Sequence, residues 1–232
     1  RQHVPAILVN FPLSDFKIEV VVTHNAKANN LGKVGSSFDP TALFQGLAVP
    51  GGSPLVPVYL KPSNPTELFA RLNYSFNGGD FSVVFSDENL NQRNLKAINA
   101  TTLSTELSFG FDRVRMLGLS GNLARGNYLF KYEGAQLSSM PIAGKDPTAL
   151  PWHKRDQSIL GLGIDYSGVD NLTLGFETDI KFTKDHTNDL SGSKTSVGQS
   201  IQARWTGLND LLMINGTLSR LNSEKSVISS IA

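Results

Sequence analysis

The sequence predicts an all-β protein, an antiparallel up-and-down transmembrane β-barrel with short periplasmic turns and long extracellular loops. Three observations lead to this fold class: segments of 7 to 11 residues alternate apolar with polar side chains, the links between segments are short and then long, and aromatic residues gather at segment ends. Strands of about 9 to 11 residues with this alternation are typical of outer-membrane barrels.

The alternation is clearest from Leu172 to Phe182, where large apolar residues share one parity and Glu177, Asp179 and Lys181 lie on the other. Neighbouring residues of a strand point to opposite faces, so one face is apolar and the other is charged. The same pattern predicts about ten strands: Ala6 to Phe11, Phe16 to His24, Thr66 to Phe76, Asp80 to Ser86, Ser104 to Asp112, Asn127 to Gly134, Asp156 to Tyr166, Leu172 to Phe182, Ser196 to Trp205 and Leu211 to Arg220.

The links distinguish a barrel from a soluble β-sandwich, which alternation alone also fits. Four are tight and rich in turn residues: Pro12 to Asp15, Asn77 to Asp80, Ser167 to Asn171 and Thr206 to Asp210. Four are long: Asn25 to Pro65, Asp87 to Thr102, Ala135 to Arg155 and Thr183 to Thr195. Long loops are uncommon in compact soluble domains but are expected on the extracellular side of a barrel.

Two regions allow more than one interpretation. Arg113 to Gly126 follows neither the strand nor the helix period, and it predicts either an extended hairpin with a bulge or a short helix at the periplasmic rim. The loop from Lys33 to Pro65 is rich in Gly, Pro and Ser. As an extracellular loop it either folds inward and narrows a lumen or stays on the surface.

The aromatic residues predict two girdles at the membrane boundaries. One is expected beside the short turns and would contain Phe11, Phe16, Phe76, Phe81, Tyr166 and Trp205. The other is expected nearer the long loops and would contain Phe85, Tyr132 and Phe182.

Composition restricts the function classes. A net charge of +1 with 18% charged residues gives no nucleic-acid footprint, and the absence of cysteine excludes a disulfide framework or a thiolate metal site. The chain begins without a secretion signal and ends without a closing aromatic strand. We therefore expect residues 1–232 to be a single barrel segment of a longer barrel, with its first and last predicted strands pairing outside it.

Motifs for catalysis or metal binding are nearly absent. Gly118-Leu119-Ser120-Gly121 lacks the spacing of a nucleophile elbow, and the four histidines lack zinc-ligand spacing. We predict no catalytic, cofactor-binding or metal-binding residues and no cofactor.

The charged parity is therefore the predicted functional surface. If the apolar face meets lipid, the polar side chains of the other face must point into a lumen, because a charge facing the bilayer midplane would cost about 2 to 4 kcal/mol. Such residues either set the selectivity of a pore or fill a closed barrel. The lumen-facing candidates are Lys17, Glu19, Arg71, Asn73, Lys131, Glu133, Glu177, Asp179, Lys181, Gln202 and Arg204.

Five segments resemble a domain-of-unknown-function family of large proteobacterial outer-membrane β-barrels: Glu67 to Leu72, Phe76 to Asp80, Phe111 to Asn122, Gly126 to Glu133 and Leu150 to Asp156. The resemblance implies a Gram-negative outer-membrane location. It also implies a gene near an RND-type exporter and a periplasmic protein resembling a lipoprotein carrier. These partners, with outer-membrane lipid, would suit transport of lipidic or other hydrophobic molecules. The chain is shorter than typical members of the family.

Three functions follow from these observations. A porin-like transport or export barrel is the preferred one. An outer-membrane enzyme would need the loop residues His153, Asp185 and His186 to converge with a serine. A soluble β-sandwich binding module or adhesin would use the long loops for recognition.

Overall fold

A computed structural model describes residues 5–24, 55–100, 104–146, 152–207, 212–221 and 226–231, the last segment by its backbone. Within these residues no helix is long and apolar enough to cross a membrane. The described elements are fourteen strands: β1 (Ala6–Leu13), β2 (Phe16–Thr23), β3 (Leu55–Tyr59), β4 (Glu67–Phe76), β5 (Gly79–Asn89), β6 (Asn94–Ala100), β7 (Thr105–Gly110), β8 (Arg113–Arg125), β9 (Tyr128–Ile142), β10 (His153–Val169), β11 (Leu172–Thr183), β12 (Thr195–Gly207), β13 (Leu212–Leu221) and β14 (Ser226–Ile231).

Eleven strands form one large sheet in the order β1-β2-β4-β5-β8-β9-β10-β11-β12-β13-β14. Every neighbouring pair is antiparallel, so the chain runs up and down across the sheet. The other three strands form a small sheet in which β7 lies between β3, its parallel partner, and β6, its antiparallel partner. The predicted antiparallel meander is confirmed.

Two-residue turns join the strands at one end of the large sheet. They lie between β1 and β2, β4 and β5, β8 and β9, and β10 and β11. Ser14, Gly78, Gly126 and Asn171 adopt positive φ values of 51°, 88°, 59° and 62° there. Tight hairpins require this left-handed backbone because its twist matches that of the strands. The strand ends joined by the links from β2 to β4, β5 to β8, β9 to β10 and β11 to β12 lie at the opposite end, as predicted, and the loop from Lys33 to Pro65 is outside the described residues as far as residue 54. Two of the predicted links are corrected: the one from Ala135 to Arg155 is shorter, because β9 continues to Ile142 and β10 begins at His153, and the one from Asp87 to Thr102 contains β6.

The strands are staggered as a barrel requires. A row of paired residues starts at Phe16, the first residue of β2, passes through Gly121 and Leu162, and reaches Arg220, the ninth residue of β13. The row advances about one residue per strand. With a rise of ~3.3 Å per residue and strands ~4.8 Å apart, this stagger corresponds to a tilt of about 35°, as in closed barrels.

Four strands are absent from the predicted set: β3, β6, β8 and β14. Arg113 to Gly126 is neither a bulged hairpin nor a helix, because β8 is a continuous strand paired with β5 and β9. Its apolar parity carries Leu117, Leu119 and Leu123, but Val114 and Met116 on the other parity obscure the alternation.

Two further strand assignments are corrected. The segment Ser104 to Asp112 was expected in the barrel, but its strand, β7, belongs to the small sheet, because β3 and β6 flank it. The segment Leu211 to Arg220 is not the last strand, since β14 pairs with β13. Among the described residues no ladder joins β1 to β14. The expected pairing of the outermost strands with others therefore stays a prediction.

The large sheet has almost no packed core. Of the hydrophobic side chains described as buried, Leu95, Leu107 and Phe109 belong to the small sheet, Leu190 lies in a loop, and only Val114 belongs to the large sheet. Large apolar side chains of its strands are exposed instead, with Leu117 at 58%, Leu162 at 50% and Ile201 at 56%. We call the surface that carries these residues the apolar face.

Two arginines mark the borders of the apolar face on β8. Arg115 and Arg125 share its parity and enclose Leu117, Leu119 and Leu123. Ten residues span ~33 Å along a strand, or about 27 Å along the barrel axis at the tilt given above. Transmembrane barrels have an apolar band about 25 Å tall. The apolar face therefore has the height of a bilayer core.

Aromatic side chains border this face at the short turns. Phe16, Tyr74 and Phe76 stack in series, with ring centroids 4.5 and 5.8 Å apart, and Tyr128 and Tyr166 pair at 5.0 Å. Phe11, Phe76 and Trp205, which were predicted in this girdle, are exposed. Tyr132 differs from the prediction: its ring lies over Gly121 in the half of β9 nearer the turn, because β9 continues to Ile142.

Candidate functional site: the charged face of the large sheet

All eleven candidate side chains lie on the face opposite the apolar one. Residues paired side by side in an antiparallel sheet share a face. One paired row contains Lys17, Asn73, Glu133 and Asp179, and the next row along the strands contains Lys131 and Glu177. The register also places Glu19, Arg71, Lys181, Gln202 and Arg204 on this surface. We call it the charged face.

The charged face lines an open cavity of about 780 Å³. Its wall runs from β5 to β13 and follows two neighbouring rows of paired residues on this face. The charged side chains of these two rows that line the cavity are Asp80, Lys131, Glu133, Glu177 and Asp179. Because strands so far apart in the sheet surround one space, the sheet curves toward its charged face.

Lys131 is the centre of an ion-pair network on this wall. Its Nζ lies 2.5 Å from Glu177 Oε1 and 3.1 Å from Asp165 Oδ1. Gly163 is paired with both Lys131 and Glu177, so Lys131 reaches from β9 across β10 to β11 over a residue without a side chain. Asp165 was not among the predicted residues, although its position on the polar parity of β10 was visible in the sequence.

Glycine residues leave the space in which the other two carboxylates, those of Glu133 and Asp179, lie against the wall. Gly161 separates Glu133 from Asp179 in their row, and a Cβ atom added to it would lie 2.7 Å from Glu133 Cγ. A Cβ atom on Gly198 would collide with the Asp179 carboxylate. These carboxylates therefore lie over glycines and face the cavity, and neither forms an ion pair in the part of the chain that the structure describes.

The candidates on β2 and β4 form a second network. Lys17 Nζ lies 2.7 Å from Glu19 Oε1, and Asn73 donates to Glu19 Oε2 at 3.2 Å. Arg71 donates from Nε to the hydroxyl of Ser82 at 3.3 Å. Lys181, Gln202 and Arg204 lie nearer the strand ends, exposed on the same face.

A buried carboxylate connects the small sheet to the long-loop end of the large sheet. Asp112 is 3% exposed and accepts a hydrogen bond from Asn94 at 2.9 Å. The ammonium groups of Lys96 and Lys154 lie 2.5 and 3.8 Å from Asp112 Oδ1. This cluster was not predictable from the sequence, because Asp112 and Lys154 are far along the chain from the two β6 residues and share no local pattern with them.

Arginine side chains order the same end of the molecule. Arg113 pairs with Asp87 at 2.7 Å and donates to the carbonyl oxygen of Thr66 at 3.0 Å. The guanidinium of Arg93 lies between the rings of Tyr59 and Phe111, 5.0 and 5.2 Å from their centroids. The long-loop end therefore has a packed structure of its own.

His153, the first residue of β10, and His186, in the loop after β11, do not assemble a catalytic site with the groups they contact. His153 Nε2 lies 3.9 Å from Asp189 Oδ2, and the backbone carbonyl oxygen of Asp185 accepts a hydrogen bond from Arg155 Nε. The Nε2 atom of His186 is buried without a hydrogen-bond partner. A hydrogen bond from Thr187 lowers the pKa of the Asp189 carboxyl, and a backbone hydrogen bond and the positive charge of Arg155 add to the effect. Within the described residues no group of three His, Asp or Glu could hold a metal.

These features define a class of protein: an up-and-down β-sheet, staggered like a barrel, with an apolar outer band and a charged inner wall. No protein-family model and no curated protein matches the chain.

Solved structures of outer-membrane proteins share its fold. A porin matches with a TM-score of 0.58 and 12% identity, over 98% of this chain and 60% of that one. The outer membrane channel DcaP of Acinetobacter baumannii matches with a TM-score of 0.57 and 13% identity, over 98% and 60%. A loop L8 deletion mutant of OmpT, an outer membrane protein of Vibrio cholerae, matches with a TM-score of 0.52 and 8% identity, over 97% and 60%.

At these identities the likeness concerns the fold alone. The chain therefore has a porin-like β-barrel fold, and it spans about 60% of the length of the barrels it matches.

Proposed function

We propose that the protein forms a porin-like channel in the outer membrane of a Gram-negative bacterium, through which small hydrophilic solutes pass. One observation carries the proposal: the same strands expose an apolar band on one face and line a charged cavity on the other. In a β-sandwich the apolar face would be buried in a core, whereas here it is more than a third exposed at most large side chains. A lipid bilayer is the environment that suits such a surface.

The wall of the cavity favours hydrophilic solutes over lipidic cargo. Water and polar solutes solvate the carboxylates and the ammonium group on this wall. An acyl chain would displace that water and leave the charges without hydrogen-bond partners, which costs free energy. Export of hydrophobic molecules together with an RND-type exporter and a periplasmic carrier is the alternative that the family resemblance implies. Catalysis in the loops finds no support in the contacts of His153 and His186.

The proposal is tested with the protein purified from outer membranes in detergent and added to planar lipid bilayers. We expect stepwise increases in conductance and migration in unboiled gels that changes on heating. A protein that stays in the aqueous fraction without detergent, or that inserts and conducts no ions, would contradict the channel. Co-purification with a periplasmic carrier and transfer of labelled lipid would favour the export alternative.

A further inference from the structure

We infer that the channel prefers small cations because of the carboxylates on its wall, and that Lys131 limits the strength of this preference. The inference rests on the proposed function, since it concerns what passes through the cavity. Two cations line the cavity in the described part of the chain, Lys131 and Arg220. Arg220 shares the parity of Leu218 on the apolar face, so Lys131 is the inward-facing one. It lies among the carboxylates of Asp80, Glu133, Glu177 and Asp179.

The position of Lys131 lets it neutralise part of the negative charge of two neighbouring carboxylates. Its ammonium group lies between Asp165 and Glu177, so it compensates part of the negative charge of that pair. The gap left by Gly163 lets it lie along the wall instead of projecting into the cavity. A Cβ atom at Gly163 would approach Lys131 Cε to 3.0 Å and Glu177 Cγ to 3.2 Å.

The remaining carboxylates keep the cavity negative. Glu133 and Asp179 are exposed on the charged face and form no ion pair within the described residues. Asp80 accepts a hydrogen bond from the neutral side chain of Asn122 at 2.6 Å. A wall with more negative than positive charges raises the local concentration of cations and lowers that of anions.

Lys131→Met tests the role directly, because it removes the charge and keeps an unbranched side chain. The reversal potential is measured across a bilayer with a KCl gradient. We expect the ratio of potassium to chloride permeability to rise about twofold or more, because charges on the wall act across a Debye length of ~10 Å at 0.1 M salt. Lys184→Met, which removes a lysine from the loop after β11, should leave the ratio unchanged.

Two further variants keep the inference falsifiable if Lys131→Met fails to assemble. Lys131→Arg retains the charge and should retain the wild-type ratio. The double variant Asp165→Asn with Glu177→Gln removes two carboxylates and leaves Lys131 unpaired, so its ratio should fall below that of the wild type.

The possible results distinguish a failure of the proposed channel from a failure of the role of Lys131. A wild-type protein that inserts and never conducts would overturn the proposed channel. Conducting channels that prefer chloride, or whose permeability ratio is the same in the wild type and in Lys131→Met, would overturn the role of Lys131 and leave the channel intact. A shift of equal size in Lys184→Met would also overturn it, since it would reflect net charge alone.

Discussion

Glycine residues on both faces of the large sheet provide the space that a neighbouring side chain needs. On the charged face Gly161 and Gly163 lie between charged residues of β9 and β11. On the apolar face the Tyr132 ring covers Gly121, where an added Cβ atom would meet the ring Cζ at 2.8 Å and the Asp80 carbonyl oxygen. Aromatic cover of a strand glycine keeps apolar surface where a side chain is missing.

Gly121→Ala is expected to destabilise the protein by about 1 to 3 kcal/mol, because the backbone of Asp80 cannot move without disturbing its ladder. Gly216→Ala is the matched control on the same face, since a Cβ atom there meets nothing within 4 Å. It should be neutral or stabilising by about 0.5 kcal/mol. Urea unfolding in detergent measures both, and equal midpoints for the two variants would contradict the packing described for Gly121.

Asp189 makes one loop contact sensitive to pH. Its pKa is lowered from 3.8, mainly by the hydrogen bond from Thr187, so its contribution to loop stability is present above 3.8 and is lost as the pH falls through the lowered value. We expect an NMR titration to find the Asp189 carboxyl below 3.8 in the wild type and closer to 3.8 in Thr187→Val. An unchanged midpoint in that variant would show that Thr187 is not the main cause.

Strands with clean alternation were predictable one by one, and strands with an interrupted pattern were not. The segments that became β10 and β11 carry large apolar side chains on one parity and small or charged ones on the other, and both were predicted within a few residues of their ends. β8 was missed because Val114 and Met116 add apolar residues to its inward parity near the long-loop end. Val114 is 2% exposed, so the packing at that end explains the exception.

The two faces of a strand should respond differently to substitution. Leu162→Arg and Leu174→Arg place a charge on the apolar face and should each impair membrane assembly, at a cost of about 2 to 4 kcal/mol near the bilayer midplane. Glu177→Gln lies on the opposite face and should assemble normally, because water can replace its contacts. Heat-modifiable migration of membrane fractions measures assembly. Equal damage from all three substitutions would indicate a packed soluble core.

At the scale of the whole molecule, the register of the sheet assembles the site. The side chains of Lys131 and Glu177 are 46 residues apart in sequence and meet because β9, β10 and β11 pair in one alignment. The sequence predicted which residues share the charged face. It could not predict which of them form ion pairs, since a shift of two residues in one ladder would change every partner and keep the faces.

The two outer strands of the large sheet, β1 and β14, each need a further partner if the sheet lies in a membrane. In the described residues β1 pairs with β2 and β14 pairs with β13, which leaves one side of each outer strand without a ladder. Hydrocarbon cannot satisfy exposed backbone donors and acceptors, so within a membrane both edges have to be paired. Barrel closure is therefore a requirement of the membrane location that we propose.

The central claim is that the charged face lines a water-filled lumen and the apolar face contacts lipid. Single cysteines placed at Arg71, Asp179 and Lys181 test the charged face, and cysteines at Leu72 and Ile180 test the apolar face. In intact outer membranes we predict that small water-soluble thiol reagents modify the first three and not the last two. Protection of the first three would indicate a barrel filled by its own side chains, and rapid modification of Leu72→Cys and Ile180→Cys would contradict contact with lipid.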